Sequence, residues 1–396
     1  MKIIVQKYGG TSVNTAKSRS MIIKNMIDAI DDGFKPIIVV SAMGRKPEPY
    51  ATDSLLSLLP DTKNANLRNK DLLASCGEII TTVVVSEEIR AKGINARALT
   101  GGQAGIVTNE NYGDGKIVKI DTSRLLELLN QDIVPVVAGF QGMSKNGQIL
   151  TLGRGGSDIT ATALGAALNA ELVEIYTDVD GVMTADPRVV ENAELIETVD
   201  YDEVFQLAEY GAKVIHPRAV EYAMKADVPI AILNTQKGRY YGGTRIEDTP
   251  QDIFSDKHFS AVTQIDGCSQ VDIKFTDIKK EDKLFDVLAE QEVSIDMINI
   301  FPDRKTFIID TEKQHIVDRV MSKLGLEYTI TEGFTKITIM GRMKGVPGVV
   351  AKIIAALYSN NIFVHQSSDS STTVSVLVDT KQAKDAVNVL HTNLIK

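Results

Sequence analysis

Three short stretches of this 396-residue chain gather the side chains that handle phosphate and carboxylate groups. The first is Lys7-Tyr8-Gly9-Gly10-Thr11-Ser12, between a β-branched run and a helical one. Glycines at a strand-to-helix turn leave backbone N–H groups uncovered where the helix dipole also favours an anion. Alone, the string reads equally as a plain turn or as a phosphate cradle; its lysine precedes the glycines, so it matches neither G-x-x-x-x-G-K-[ST] nor G-x-G-x-x-G. The second is Gly153-Arg154-Gly155-Gly156-Ser157-Asp158, directly before a helical run that begins Ile159-Thr160-Ala161. An arginine among three glycines gains little structurally and can grip a carboxylate with paired hydrogen bonds, while Ser157 or Asp158 can cap the helix. The third runs Thr177-Asp178-Val179-Asp180-Gly181-Val182 and on through Ala185-Asp186-Pro187-Arg188, just past the run Val173-Glu174-Ile175-Tyr176. Open α/β sheets bind ligands beyond such strand ends. One Asp-x-Asp lacks the rest of a calcium-loop spacing, so Asp178 and Asp180 are read as ribose and phosphate contacts before metal ligands. Gly211-Ala212-Lys213-Val214 adds a second lysine able to neutralise β- and γ-phosphates. His216 has no nucleophile or carboxylate partner at a telling spacing and is read as structural.

For these loops to meet, strands and helices must alternate. Short β-branched runs at 3–5, 36–41, 96–99, 134–138, 173–176 and 229–233 read as strands covered on both faces. Helical periods at about 15–32, 67–92, 122–131, 157–169 and 203–225 lie between them as crossover connections. The expectation is an α/β domain over 1–240 with a largely parallel sheet, its Gly113-Asp114-Gly115 and Asn146-Gly147 turns at the periphery. A linker is expected at 241–260, where periodicity fades and Gly242, Gly243, Pro250 and charges collect.

Beyond it the pattern repeats. Val271-Asp272-Ile273, a helix with Leu284 and Leu288 and a strand Val293-Ser294-Ile295 are echoed by Ile337-Thr338-Ile339, by Ile353 and Leu357, and by Ile362-Phe363-Val364. The second copy has the longer loop, Lys344-Gly345-Val346-Pro347-Gly348, whose free amides can face an anion at a helix start. Two α+β modules follow, over 261–332 and 333–396.

Composition narrows the ligands. A formal charge of -9 argues against an extended nucleic-acid surface. Cys76 and Cys268 stand alone, which suits a reducing cytoplasm and neither a disulfide framework nor a zinc ribbon. No segment reads as a secretory leader or a membrane span.

Taken together, KYGGTSV at 7–13, SAMG at 41–44, the run ending Cys76-Gly77-Glu78, GRGGSD at 153–158, YTDVDGVMTADPR at 176–188 and GAKV at 211–214 resemble the aspartokinase family of the amino-acid kinase superfamily. The likeness keeps that family's motif order over nearly the whole chain, and SAMGRKPEPYATDSLL at 41–56 looks closest to its diaminopimelate-sensitive bacterial type. The resemblance implies an αβα-sandwich kinase domain with two C-terminal ferredoxin-like ACT modules, pairing between chains into a homodimer with an effector pocket. It implies ATP, with Mg2+, phosphorylating the β-carboxylate of L-aspartate to 4-phospho-L-aspartate, the first step towards lysine, threonine, methionine and diaminopimelate. Carried over by position, Lys7, Tyr8, Gly9 and Gly10 hold ATP phosphates, and Thr177, Asp178, Arg188, Lys213 and Val214 line the nucleotide pocket. Ser41, Thr52, Glu78, Arg154, Gly155, Gly156 and Ser157 position aspartate, with Arg154 on its α-carboxylate and Glu78 near its α-ammonium. Lys7 and Asp158 order the reacting groups, and Asp296 matches a position that holds an effector's ammonium. The first ACT copy departs from the pattern, with Lys279-Lys280-Glu281-Asp282 where Pro-Gly is common. Lysine, threonine and diaminopimelate stay open as the effector.

A side-chain carboxylate with a pKa of about 3.9 is already ionised at neutral pH, so the reaction needs no general base. It needs alignment and neutralisation of charge. Kinases of glutamate, N-acetylglutamate or nucleoside monophosphates are the nearest rivals, and they usually lack a paired ACT tail. A catalytically silent amino-acid sensor is a further alternative; it would more readily have lost Lys7, Arg154 or Asp158, all present.

Overall fold

Six β-branched runs of the N-terminal region become the strands of a mainly parallel sheet in the computed structural model, which describes residues 1–212, 214–248, 259–274, 278–341, 343 and 346–395. Side chains of 278–282 are outside this description. The chain divides into two compact units: Met1–Val182 with Leu195–Glu209 and Lys213–Gln251, and Met183–Glu194 with Tyr210–Ala212 and Asp252–Lys396.

In the first unit the sheet runs Thr198–Val199, Thr244–Ile246, Ile230–Asn234, Leu172–Thr177, Ile3–Tyr8, Lys35–Val40, Val134–Ala138, Ala96–Leu99. Ile3–Tyr8 is buried at every residue and pairs in parallel with both Lys35–Val40 and Leu172–Thr177, so three strands end side by side. Side chains alternate across a strand. Tyr8 therefore packs with Ile22 and Met26 of the helix Ala16–Asp31, whereas Lys7 turns to the opposite face and meets Asp158 of the helix Gly156–Leu168.

Two expectations are corrected here. The single helix expected over 203–225 is two, Tyr201–Glu209 and Pro217–Ala226. Proline cannot donate an N–H within a helix, but it suits a first turn, and His216 Nδ1 caps that turn by accepting from the Arg218 amide. The Gly113–Gly115 turn is not peripheral: it belongs with a second sheet of strands Ile117–Ile120, Ile106–Thr108, Gln141–Ser144 and Ile149–Thr151. Asp71, buried in the helix Leu67–Arg90, accepts from the Gly113 amide at 2.9 Å, the Thr151 amide at 3.2 Å and the Thr151 hydroxyl at 2.7 Å. That one carboxylate fastens the small sheet to the helix.

The second unit holds a six-stranded antiparallel sheet, in the order Asp296–Ile300, Arg304–Asp310, Phe259–Lys274, Glu327–Gly341, Thr373–Asp379, Gln366–Asp369. Each sequence copy is realised as strand, helix, two strands, helix. The long strand Phe259–Lys274 serves both, its first part pairing with 336–341 and its second with 304–310 and 327–334. Val293 and Ile362, expected to open strands, instead close helices: their amides reach back to the Leu288 and Leu357 carbonyls after left-handed Glu292 and Asn361. The strands start only at Asp296 and Gln366. Among the described residues no helix is long and apolar enough to cross a membrane.

Asp71→Ala leaves buried amide and hydroxyl donors without an acceptor and is expected to lower unfolding stability by about 3 kcal/mol or more, against about 1 kcal/mol for Thr151→Val. Urea denaturation of the two variants checks this; equal midpoints would contradict it.

Candidate active site

The first unit brings the two glycine loops together at the carboxyl ends of its central strands. Lys7 Nζ lies 2.6 Å from Asp158 Oδ1, and both side chains are largely buried. Gly9 lies two residues on, its amide donating to the Tyr176 carbonyl at 3.4 Å. A Cβ on Gly10 would stand 2.9 Å from the Gly44 carbonyl oxygen and 3.0 Å from that of Ala42, so only glycine lets this loop touch the one after Lys35–Val40. Ser41, which opens that second loop, donates to Ser157 Oγ at 2.9 Å.

The turn 153–156 is fixed from outside. Gly155 has a φ of +71°, and a Cβ there would fall 2.3 Å from the His216 ring. Arg218 bonds Asp114 and the carbonyl of Leu152, and Asp114 in turn lies against Gly153. His216, read from sequence as structural, caps its helix and forms one wall of the loop. Burial lowers its pKa, the nearby Asp158 charge opposing this, so the ring stays neutral and accepts from the helix. Neither Ser157 nor Asp158 caps the helix Gly156–Leu168. Both instead bond to residues at the carboxyl ends of the central strands, Ser41 and Lys7.

Glu78 is the most unusual charge in this group. Only 3% exposed, it accepts from the Ala42 amide at 3.2 Å through Oε1, while Oε2 is buried without a partner. Burial pushes its pKa to about 8, partly offset by the amide bond. A buried carboxyl group with a bare oxygen is chemically able to take a cation. Thr52 opens the short helix Thr52–Leu56, and the preceding turn touches the same place, because the Tyr50 carbonyl lies against Gly77. Arg154 is exposed within the glycine turn, next to Gly155 and Gly156.

On the other side of Lys7, Thr177 and Asp178 end the strand Leu172–Thr177, the Thr177 hydroxyl donating to Asp178 at 3.2 Å. Asp180 is held by Asn234 at 2.8 Å and by Lys237 at 2.7 Å, which lower its pKa. Ser12 and Thr235 share a hydrogen bond of 2.6 Å that ties the first glycine loop to the end of Ile230–Asn234. Sequence reasoning gives no role to Lys237, Thr235, Asp114 or Arg218: Asp114 reads only as part of a peripheral turn, Lys237 falls where periodicity fades ahead of the expected linker, and no motif contains Thr235 or Arg218.

The Tyr8 ring is fully buried and stacks on Tyr176, so only its backbone is available to a ligand. Val214 is half-buried, and Lys213 lies outside the described residues. Arg188 belongs to the second unit, where Asp186 holds its guanidinium at 2.6 Å. In that unit Asp296 already accepts from the Lys336 ammonium, which also lies 4.6 Å from the Tyr210 ring centre.

Known proteins fit this geometry. Residues 2–234 match the model of the amino acid kinase family, and residues 329–392 that of an ACT domain. Aspartokinase 1 of Bacillus subtilis is 43% identical over 99% of this chain and 98% of its own length. The aspartokinase of Geobacillus stearothermophilus is 36% identical over 99% and 97%. A crystal structure of E. coli aspartokinase III in complex with aspartate and ADP covers both chains in full with a TM-score of 0.81 at 24% identity, which marks a common fold. With a kinase-family match across the whole parallel-sheet region and end-to-end identity to curated relatives, the chain belongs to the amino acid kinase family and, within it, to the aspartokinases that carry an ACT region.

Proposed function

We propose that the aspartokinase reaction of this chain, transfer of the γ-phosphoryl group of ATP to the side-chain carboxylate of L-aspartate, takes place in the cleft around Lys7, Asp158 and Glu78. The observation that supports this is a buried carboxyl with one unpartnered oxygen, Glu78, bonded to the Ala42 amide of the same loop on which Gly10, three residues after the buried Lys7, is packed. Glu78 receives the α-ammonium of aspartate, and Arg154, with the Gly155 amide, receives its α-carboxylate, Gly156 closing the turn by donating to the Gly153 carbonyl at 3.1 Å. Ser41, Ser157 and Thr52 orient the side-chain carboxylate. Lys7 and the Gly10 amide take the phosphates, with Gly9 leaving room beside the lysine, while Thr177 and Asp178 face the nucleotide. Lys213 and Val214 complete that side by position in the motif.

Repulsion between a carboxylate and the triphosphate is the barrier to overcome. Lys7 lowers it by standing between the two, and Asp158 keeps its ammonium aimed there rather than into solvent. The magnesium ion that travels with ATP takes hard oxygen ligands, chiefly phosphate, and Asp158 and Asp178 are of the matching donor class. When bound, it neutralises part of the phosphate charge.

For regulation we infer the diaminopimelate-sensitive type, from the run at 41–56, with an effector ammonium competing against Lys336 for Asp296. Exposed Ile298, Ile300 and Phe301, on and beside the edge strand Asp296–Ile300, support a homodimer built through the regulatory unit. We further propose the modules 1–240, linker 241–260, 261–332 and 333–396, with the strand Thr244–Ile246 pairing within the first sheet and residues 259–265 lending a strand to the last module.

Lys7→Ala is expected to lower kcat by a factor on the order of 100 or more, by analogy with lost oxyanion donors. Trapping the acyl phosphate with hydroxylamine measures it; near-normal turnover, or a preference for glutamate, would refute the assignment. With its pKa raised to about 8, Glu78 holds a proton at neutral pH and must release it to receive an ammonium. The kcat/KM for aspartate should therefore climb with pH towards about 8. Glu78→Gln should abolish that limb and raise the aspartate KM at least tenfold, tenfold being about 1.4 kcal/mol of binding. A folded pKa above the ordinary 4.5 also means that stability falls as pH rises from there to about 8, so the same variant should flatten the pH dependence of Tm. Diaminopimelate should inhibit more strongly than lysine or threonine in the same assay; the reverse order would exclude the subtype.

A further inference from the structure

Beneath the cleft, on the face of the sheet away from Asp158, a polar ladder is buried where a core strand pair would ordinarily carry aliphatic side chains. Gln6 and Glu174 are register partners on the two central strands, as are Tyr8 and Tyr176. Each of these residues is at most 1% exposed. Glu174 accepts from Gln6 at 2.8 Å and from the Tyr176 hydroxyl at 3.0 Å. The two tyrosine rings stack with centroids 4.6 Å apart and planes 9° from parallel. The carboxylate's cation comes from the stretch after the last core strand: Arg239 Nε donates to Glu174 at 2.7 Å, and the same guanidinium pairs with Asp32 and lies 5.0 Å from the Phe34 ring centre.

A buried ion pair of this kind is seldom retained for stability, since aliphatic replacements often do as well, while removing one partner leaves an uncompensated charge. The ladder's position suggests what it is for. Tyr8 is covalently joined to Lys7 and Gly9, and the Gly9 amide bonds the carbonyl of Tyr176, so the stacked pair sets the separation and register of the two strand ends at the phosphate side. Misplacing a reacting group by about 1 Å can cost 100-fold in rate.

We propose that Arg239 is a positioning residue for phosphoryl transfer: by neutralising Glu174 it holds the Tyr8–Tyr176 stack, and through it the strand end that presents Lys7 and Gly9. The segment that leads towards the regulatory unit thereby enters the support of the catalytic strands. This rests on the assignment of Lys7 to the phosphates.

The test uses the full chain and compares Arg239→Met, Arg239→Lys and Tyr176→Phe, the last removing only the hydroxyl given to Glu174. Turnover is expressed per folded molecule, counted by circular dichroism and by calorimetric binding of ATP. Arg239→Met is expected to lose at least tenfold in kcat and Tyr176→Phe at least threefold, with the aspartate KM within twofold of the parent because Glu78 and Arg154 are untouched. Arg239→Lys should recover to within threefold. If kcat per folded molecule stays within twofold of the parent in whichever of Arg239→Met and Tyr176→Phe folds, and only Tm falls, Arg239 is structural and the inference is overturned. Lys7→Ala in parallel separates the two readings: an active Lys7→Ala removes the phosphate-site assignment, whereas an inactive Lys7→Ala beside unaffected Arg239 and Tyr176 variants removes only this proposal.

Discussion

Mutual repulsion of anions is the constraint on which this structure turns. A carboxylate must approach a triphosphate; three parallel strands end side by side, and in the proposed site Lys7 and the glycine loops stand at their tips. Lys7 is the centre of that arrangement. Its side chain is largely buried, which strengthens its field, and its partner Asp158 fixes it in place without capping the helix that bears it. Glycine at 10 and 155 lets neighbouring loops close around the lysine at distances no other side chain would permit.

Three buried carboxyl groups show how environment assigns different work to the same chemistry. Asp71 is saturated by amides and a hydroxyl and serves as a fastener. Glu174 is saturated by an arginine, an amide and a phenol and sits in the support of the strands. Glu78 has one amide and one bare oxygen, and burial holds its proton on near neutrality. Only the last is incomplete without a ligand, and it is the one at the cleft.

Much of this was legible beforehand, because the evidence was local. Each β-branched run between helical periods became a strand of the main sheet, and the glycine loops fell at strand ends as hydrophobic periodicity required. Where physics beyond local pattern decided, the reading faltered. Pro217 cut one expected helix in two, and the left-handed turns at Glu292 and Asn361 drew Val293 and Ile362 into helix closure. The small sheet at 106–151 was invisible because its strands are short and one face lies against a helix pinned by Asp71. Arg239 and Lys237 escaped notice for a related reason: a polar stretch with glycines looks like a boundary, and nothing in it announces a guanidinium returning to the core.

The most direct test is a crystal structure with magnesium, a non-hydrolysable ATP analogue and L-aspartate bound together. The account predicts phosphate oxygens within about 3 Å of Lys7 Nζ and the aspartate ammonium against the bare oxygen of Glu78. Phosphates remote from Lys7, or an aspartate that leaves Glu78 unpaired, would contradict it.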